Sequence, residues 1–202
     1  LKMIDLFNIK NKVFIITGAS IGIGKKLCEE IGKYGGKVYG FARRKLIPKN
    51  YKYIQCDLKN YKKLEEKIQE IYRKEKKISV LVNCAGISHE RNLVNSKLKF
   101  DEVINMNLKV PFLLSTMVSK FMKNGGSIIN ICSIASFYGF PNNSSYAASK
   151  GGLRQLSKAL ALDLSKKKIR VNNILPGYIK TPMTIKSFKN KKINKLIKNK
   201  TI

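Results

Sequence analysis

Apolar positions along the chain fall into two alternating patterns. Val13–Thr17 (V-F-I-I-T) is a short β-branched run without polar alternation, which suits a parallel strand buried on both faces. In 22–34 the residues Ile23, Leu27, Ile31 and Tyr34 return at helical spacing, and the pattern stops at Gly35-Gly36. That predicts a helix with a glycine stop. The two patterns then repeat, with strands predicted at 37–41, 53–57, Val80–Asn83, 127–133 and 170–175. Helices are predicted at Tyr61–Glu75, 100–123 and 145–165. This order predicts an α/β fold, a doubly wound parallel sheet with right-handed crossovers. One connection is irregular. Residues 42–52 include Pro48 and leave little room for a crossover helix, so a loop or one helical turn is expected there.

Composition sharpens this picture. At 202 residues, 44% hydrophobic and 26% charged, the chain reads as one globular domain over 1–202, without linker or repeat. No stretch approaches the roughly 18 apolar residues of a membrane span, and no signal-peptide pattern opens the chain, so a cytoplasmic protein is expected. Cys28, Cys56, Cys84 and Cys132 form no C-x-x-C pair, and His89 is the one histidine. Zinc is not expected, and the thiols read as small buried groups in a reducing compartment.

The formal net charge of +29 first suggests a polyanion partner. Its make-up points elsewhere: 35 Lys against 6 Arg, beside 25 Ile and 18 Asn, which is the usage of AT-rich codons. Phosphate and base readers favour the bidentate arginine fork. Nucleic acid is therefore not the expected partner. The exception is the acid-free stretch after Asp163, with Lys166, Lys167, Lys168 and eight lysines from Lys180 to Lys200.

Candidate chemistry lies at the ends of the predicted strands. Thr17-Gly18-Ala19-Ser20-Ile21-Gly22-Ile23-Gly24 joins the first strand to the first helix, the context in which glycines admit a dinucleotide pyrophosphate to a helix N-terminus. Tyr146 and Lys150 are four residues apart on a predicted helix, so both lie on one face. An ammonium beside a phenol would lower its pKa from about 10 and make a general acid/base. Ser133 ends the predicted fifth strand, thirteen residues before Tyr146.

These motifs resemble the short-chain dehydrogenase/reductase family, in its single-domain branch, whose T-G-x-x-x-G-x-G follows the first strand. Within it the chain is similar to the group holding 3-oxoacyl-carrier-protein reductases and sugar or polyol dehydrogenases. The resemblance implies hydride transfer between a nicotinamide cofactor and a small-molecule carbonyl or secondary alcohol. Tyr146, Lys150, Ser133 and Asn107 would form the proton relay, although Asn105 competes with Asn107 for the last place. Gly18, Ser20, Ile21, Gly22, Ile23 and Gly24 would cradle phosphate, with Asp57 and Leu58 near adenine. Asn83, Ala85 and Gly86 would lie along the ribose; Cys84 stands where the family has a second asparagine. Tyr146 and Lys150 would also touch the cofactor, and Pro176, Gly177, Ile179 and Thr181 would meet the nicotinamide end.

The second strand leads into Ala42-Arg43. An acidic residue there would bind the ribose 2′-hydroxyl of NAD; an arginine accepts the 2′-phosphate of NADP. Arg43 therefore predicts NADP, with NAD as the alternative, since Ile21 replaces a basic residue many NADP-binding members carry. The resemblance also implies a homodimer through helices 100–123 and 146–165, and a tetramer in a full-length form. The family's final strand is absent, and 182–202 falls in the substrate-lid region, with a short amphipathic helix expected at 189–200. The competing function is an inactive scaffold of the same fold, holding a polyanion through its basic C-terminal part.

Overall fold

The computed structural model describes residues 8–89, 97–123 and 125–200. Six strands form one sheet: β1 (Val13–Thr17), β2 (Lys37–Ala42), β3 (Lys52–Gln55), β4 (Val80–Asn83), β5 (Gly126–Ile131) and β6 (Ile169–Ile174). Their order is β3-β2-β1-β4-β5-β6, and every neighbouring pair is parallel. The chain winds outward from β1 to β3, then crosses back and winds outward from β4 to β6. The ends of β1 and β4 thus part at the switch point, where doubly wound sheets bind ligands.

The helices are α1 (Gly22–Lys33), α2 (Tyr61–Glu75), α3 (Lys97–Ile104), α4 (Val110–Ser119), α5 (Ser144–Asp163), α6 (Ile185–Lys189) and α7 (Lys191–Lys200). Strand alternation sorts the core into two layers. Val13 and Ile15 pack with Leu64 and Ile68 of α2 and Leu114 and Val118 of α4. Phe14 and Ile16 turn to the other face, against Cys28 of α1. Both sets are buried, which is why β1 reads as an unbroken apolar run. No described helix is long and apolar enough to cross a membrane.

Several boundaries differ from the sequence expectation. The helix expected over 100–123 is broken: α3 ends at Ile104, a π-helical turn spans Asn105–Lys109, and α4 follows. The amide of Val110 reaches back to the carbonyl of Asn105, an i→i+5 bond. Pro111 has no N–H to return to the carbonyl of Asn107, so the regular ladder fails at that turn. The fifth strand stops at Ile131, and Ser133 instead caps a 3-10 turn at Ile134–Ser136. The 42–52 connection carries no helix, as its length requires. The sheet ends at β6, whose Arg170, Asn172 and Ile174 are exposed. The lid region holds two helices, α6 and α7, where one was expected at 189–200, and Ile197 of α7 is buried.

Candidate active site

The glycine loop is shaped by positive φ and close approach. Gly18 and Gly22 have φ of 73° and 58°, values L side chains rarely adopt. A Cβ on Gly18 would stand 3.0 Å from the backbone of Ala85, and one on Gly24 2.5 Å from the carbonyl oxygen of Gly18. The loop therefore lies flat against the end of β4. Ile21 precedes α1 without a capping side chain, and the first turn holds no acidic residue. The leading amides of α1 are left for an anion.

Thr17 closes the switch point. Its hydroxyl accepts hydrogen bonds from the amides of Cys84 and Ala85 at 3.0 and 3.1 Å. The end of β1 is thereby tied to the segment after β4. Sequence reasoning missed this role; the one available signal was a polar residue ending an apolar strand.

On the far side of the cleft α5 presents Tyr146 and Lys150. The Lys150 Nζ donates to the carbonyl of Ile131 at 2.7 Å and lies 5.8 Å from the centre of the Tyr146 ring. Ser133 accepts from the amide of Ala135 at 3.1 Å, and its hydroxyl draws the Tyr146 phenol down. Burial outweighs that contact and holds the phenol above its usual value, while burial also lowers Lys150. The sequence expectation of a phenol lowered by Lys150 is thus corrected. Removal from water governs both groups, and the ammonium is engaged by the sheet rather than by the phenol oxygen.

Asn107 is fully buried behind this wall. Its Oδ1 accepts from the amide of Ile87 at 2.9 Å. Its Nδ2 donates to the carbonyl of Ile87 at 2.9 Å and to Ser149 Oγ at 3.0 Å. A Cβ on Gly86 would lie 3.3 Å from Asn107 Oδ1 and 3.6 Å from Lys150 Nζ, so the two converge there. Asn105 faces away and accepts from the Tyr61 hydroxyl at 2.8 Å. Of the two asparagines, Asn107 is the one set beside Lys150 at Gly86. Ser149, which also donates to the carbonyl of Tyr146 at 2.7 Å, links it to α5 and escaped sequence reasoning.

One cleft gathers most of the expected residues: Gly18, Ile21, Gly22, Ile23 and Gly24 on one wall, Ala85, Gly86, Ser133, Tyr146 and Lys150 on another, and Pro176, Gly177, Ile179 and Thr181 at the rim. A family model described as short chain dehydrogenase matches residues 12–192. The chain belongs to the short chain dehydrogenase family.

Relatives within the family include the 3-oxoacyl-[acyl-carrier-protein] reductase FabG of Buchnera aphidicola, 39% identical over 190 residues, with 89% of this chain and 78% of that protein covered. The 5-keto-D-gluconate 5-reductase of Escherichia coli is 32% identical over 196 residues, with 90% and 77% covered. Among solved structures, a protein assigned as an NAD(P)-dependent gluconate 5-dehydrogenase from Beutenbergia cavernae, with NADP bound at low occupancy, superposes at TM-score 0.88. It is 26% identical, with 96% of this chain and 82% of that one covered. The chain is an enzyme of this oxidoreductase class, a dehydrogenase or reductase acting on a CH–OH group.

Other expected residues of this short chain dehydrogenase lie outside the cleft lining. Ser20 sits against the Tyr53 phenol. Arg43 is exposed, with its carbonyl accepting from Gln55 Nε2 at 3.0 Å. Asp57 accepts from the amide of Lys59 at 3.0 Å, and Leu58 is buried in the core. Asn83 is buried, and its Nδ2 donates to Asn130 Oδ1 at 2.8 Å. Cys84 does line the cleft. Burial pushes its thiol up to about 11, against the pull of Lys150.

Proposed function

We propose that the chain reduces a carbonyl group with NADPH, and runs the reverse oxidation, using Tyr146 as proton donor and acceptor. The observation behind this reading is one cleft lined on one side by bare glycines and on the other by Ser133, Tyr146 and Lys150. The residues present suit a dinucleotide. Side chains at Gly18 or Gly24 would fill the cradle with backbone clashes, and α1 begins without a cap. Gly18, Ser20, Ile21, Gly22, Ile23 and Gly24 would hold the pyrophosphate, and Arg43 the 2′-phosphate. Asp57 and Leu58 would border adenine, and Asn83, Ala85 and Gly86 the ribose. Pro176, Gly177, Ile179 and Thr181 would hold the nicotinamide end. The NADP held by the Beutenbergia cavernae relative supports the same assignment, with NAD as the alternative. When bound, the cofactor supplies or accepts the hydride.

The protein residues handle the proton. Ser133 holds the substrate oxygen beside Tyr146. Burial holds the phenol above its ordinary value, so it carries the proton it donates to an oxygen that gains charge. Lys150 fixes the cleft floor through Ile131, and Asn107 braces Ile87 and Ser149 around it. The substrate is a small carbonyl or secondary-alcohol compound. Phe112 of α4 and Leu162 of α5 remain exposed, which supports a homodimer through those helices.

Tyr146→Phe tests this reading. The variant should bind NADPH with unchanged fluorescence enhancement and lose carbonyl reduction by about 10²–10⁴-fold. Unchanged turnover would remove Tyr146 from the mechanism.

A further inference from the structure

Three amides stand in one row across the sheet. Asn83, Asn130 and Asn173 are register partners on β4, β5 and β6, so their side chains leave the same face. Asn83 and Asn130 are 2% and 0% exposed. The hydrogen bonds run in one direction. Asn83 Nδ2 donates to Asn130 Oδ1 at 2.8 Å, and Asn130 Nδ2 donates to Ser157 Oγ at 2.7 Å. The Ser157 hydroxyl lies 2.6 Å from Asn173 Oδ1 and 2.7 Å from the Leu153 carbonyl, and its single proton serves one of them at a time. Cys132, next to Ser133, donates to Asn173 Oδ1 at 3.3 Å. A polar row this deep is costly unless its members are satisfied; the Asn130 and Ser157 groups are paired, and Asn83 Oδ1 has no partner among the described residues.

Ser157 is where the row meets α5. It lies two helical turns after Lys150 on the same buried face. Lys150 is bonded to Ile131 and Ser157 to Asn130, which are consecutive residues of β5. The helix is thus fastened to one strand at two points. Apolar packing is non-directional and leaves a helix free to turn about its axis; two directional bonds on one face remove that freedom.

We propose that Asn130 and Ser157 are positioning residues for the proton-transfer step: they fix the rotation of α5 against β5, and so set Tyr146 against Ser133. This rests on the reading of Tyr146 given above. Neither residue lines the cleft, so the effect reaches the reaction through Lys150 and Tyr146.

The test uses the full chain with Ser157→Ala and the double variant N130V/S157A, in which the Asn130–Ser157 pair becomes apolar together while Asn83 Nδ2 keeps its 3.5 Å contact with Ser115 Oγ. Three quantities are read: kcat for ketone reduction, KM for NADPH, and the titration of Tyr146 by carbon NMR of ring-labelled tyrosine, assigned with Tyr146→Phe. We expect kcat to fall about tenfold, KM to stay within about twofold, and the Tyr146 midpoint to move, all in variants that melt cooperatively. Ser157→Thr keeps the hydroxyl and should restore most of kcat. Wild-type kcat together with a wild-type Tyr146 titration in a folded variant would overturn the proposal. Should the double variant not fold, Ser157→Ala decides alone. A wild-type chain without any reductase turnover would refute the Tyr146 reading instead, and the NMR titration of Ser157→Ala would still decide the positioning role.

Discussion

Lys150 is bonded to Ile131 of the sheet and not to the phenol on its own helix: Nζ reaches that carbonyl at 2.7 Å, while the Tyr146 ring centre is 5.8 Å away. The ammonium is buried beside the thiols of Cys84 and Cys132. A buried charge of this kind is costly to the fold unless its partners compensate it.

Replacing it separates stability from activity. Burial puts the folded pKa of Lys150 below the unfolded value. The cost of the buried charge is then full below the folded pKa and fades as pH rises towards the unfolded value. Lys150→Met should therefore match or exceed the wild-type melting temperature at pH 6, with the difference shrinking as pH is raised towards the ordinary lysine value of 10.5. Carbonyl reduction should fall by at least about 10²-fold. Thermal melts from pH 6 upward and steady-state kinetics check both halves.

The glycine cradle gives a paired comparison. Gly18→Ala meets both a φ of 73° and the Ala85 backbone, and Gly24→Ala meets the Gly18 carbonyl. Each should weaken NADPH binding at least about tenfold and lower stability by about 1–3 kcal/mol. Gly139→Ala finds nothing within 4 Å and should change neither. Fluorescence titration of NADPH with chemical denaturation distinguishes them.

The proposed role of Arg43 at the 2′-phosphate separates the two cofactors. Arg43→Ala should raise KM for NADPH about tenfold or more and leave KM for NADH within about twofold, since a charge-assisted bond to phosphate is lost and nothing else. Equal changes for both cofactors would place the 2′-phosphate elsewhere.

Acid sensitivity should centre on Glu75. Burial raises its carboxyl, but hydrogen bonds from Lys37 and Tyr39 and the charges of Lys37 and Lys52 outweigh this and bring it to about 2. Lys37 Nζ and the Tyr39 hydroxyl donate to it at 2.7 and 2.6 Å. A depressed carboxyl stabilises the fold above its unfolded pKa and loses that contribution as pH falls through the folded one. Glu75→Gln should cost about 1–3 kcal/mol at pH 7. The gap to wild type should close between about pH 4.5 and about 2, as urea unfolding across that range would record.

Two lysines occupy glycine conformations. Lys76 ends α2 with φ 59°, and Lys168 precedes β6 with φ 55°. Lys76→Gly and Lys168→Gly relieve the left-handed strain of a Cβ and should each stabilise by about 0.5–1 kcal/mol. Calorimetry should record a rise of about 1–4 °C for each.

The sequence was most legible where one physical demand dominated. Double-sided burial made β1 and β4 plain, and the glycine loop could be placed because strand and helix flank it. Tyr146 and Lys150 shared a face as their spacing required. What could not be read depends on contacts distant in the chain. That Thr17 would bridge to Cys84 and Ala85 required the adjacency of β1 and β4. Burial turned the Tyr146 phenol upward, although its ammonium neighbour suggested the reverse. The break before α4 needed the combined effect of Pro111 and the anchored Asn107, since the apolar periodicity of 100–123 continues across it.

The π turn at Asn105–Lys109 places one extra residue in a helix that could otherwise run straight. Removing one residue of that turn would take out the extra residue while leaving the Pro111 gap, and would swing the preceding side chains by about 100° relative to α4. The amide of Asn107 would leave Ile87 and Ser149. The count of residues in the turn thus sets where Asn107 points, so outside Asn107 the turn should tolerate replacement of its residues far better than any change in their number.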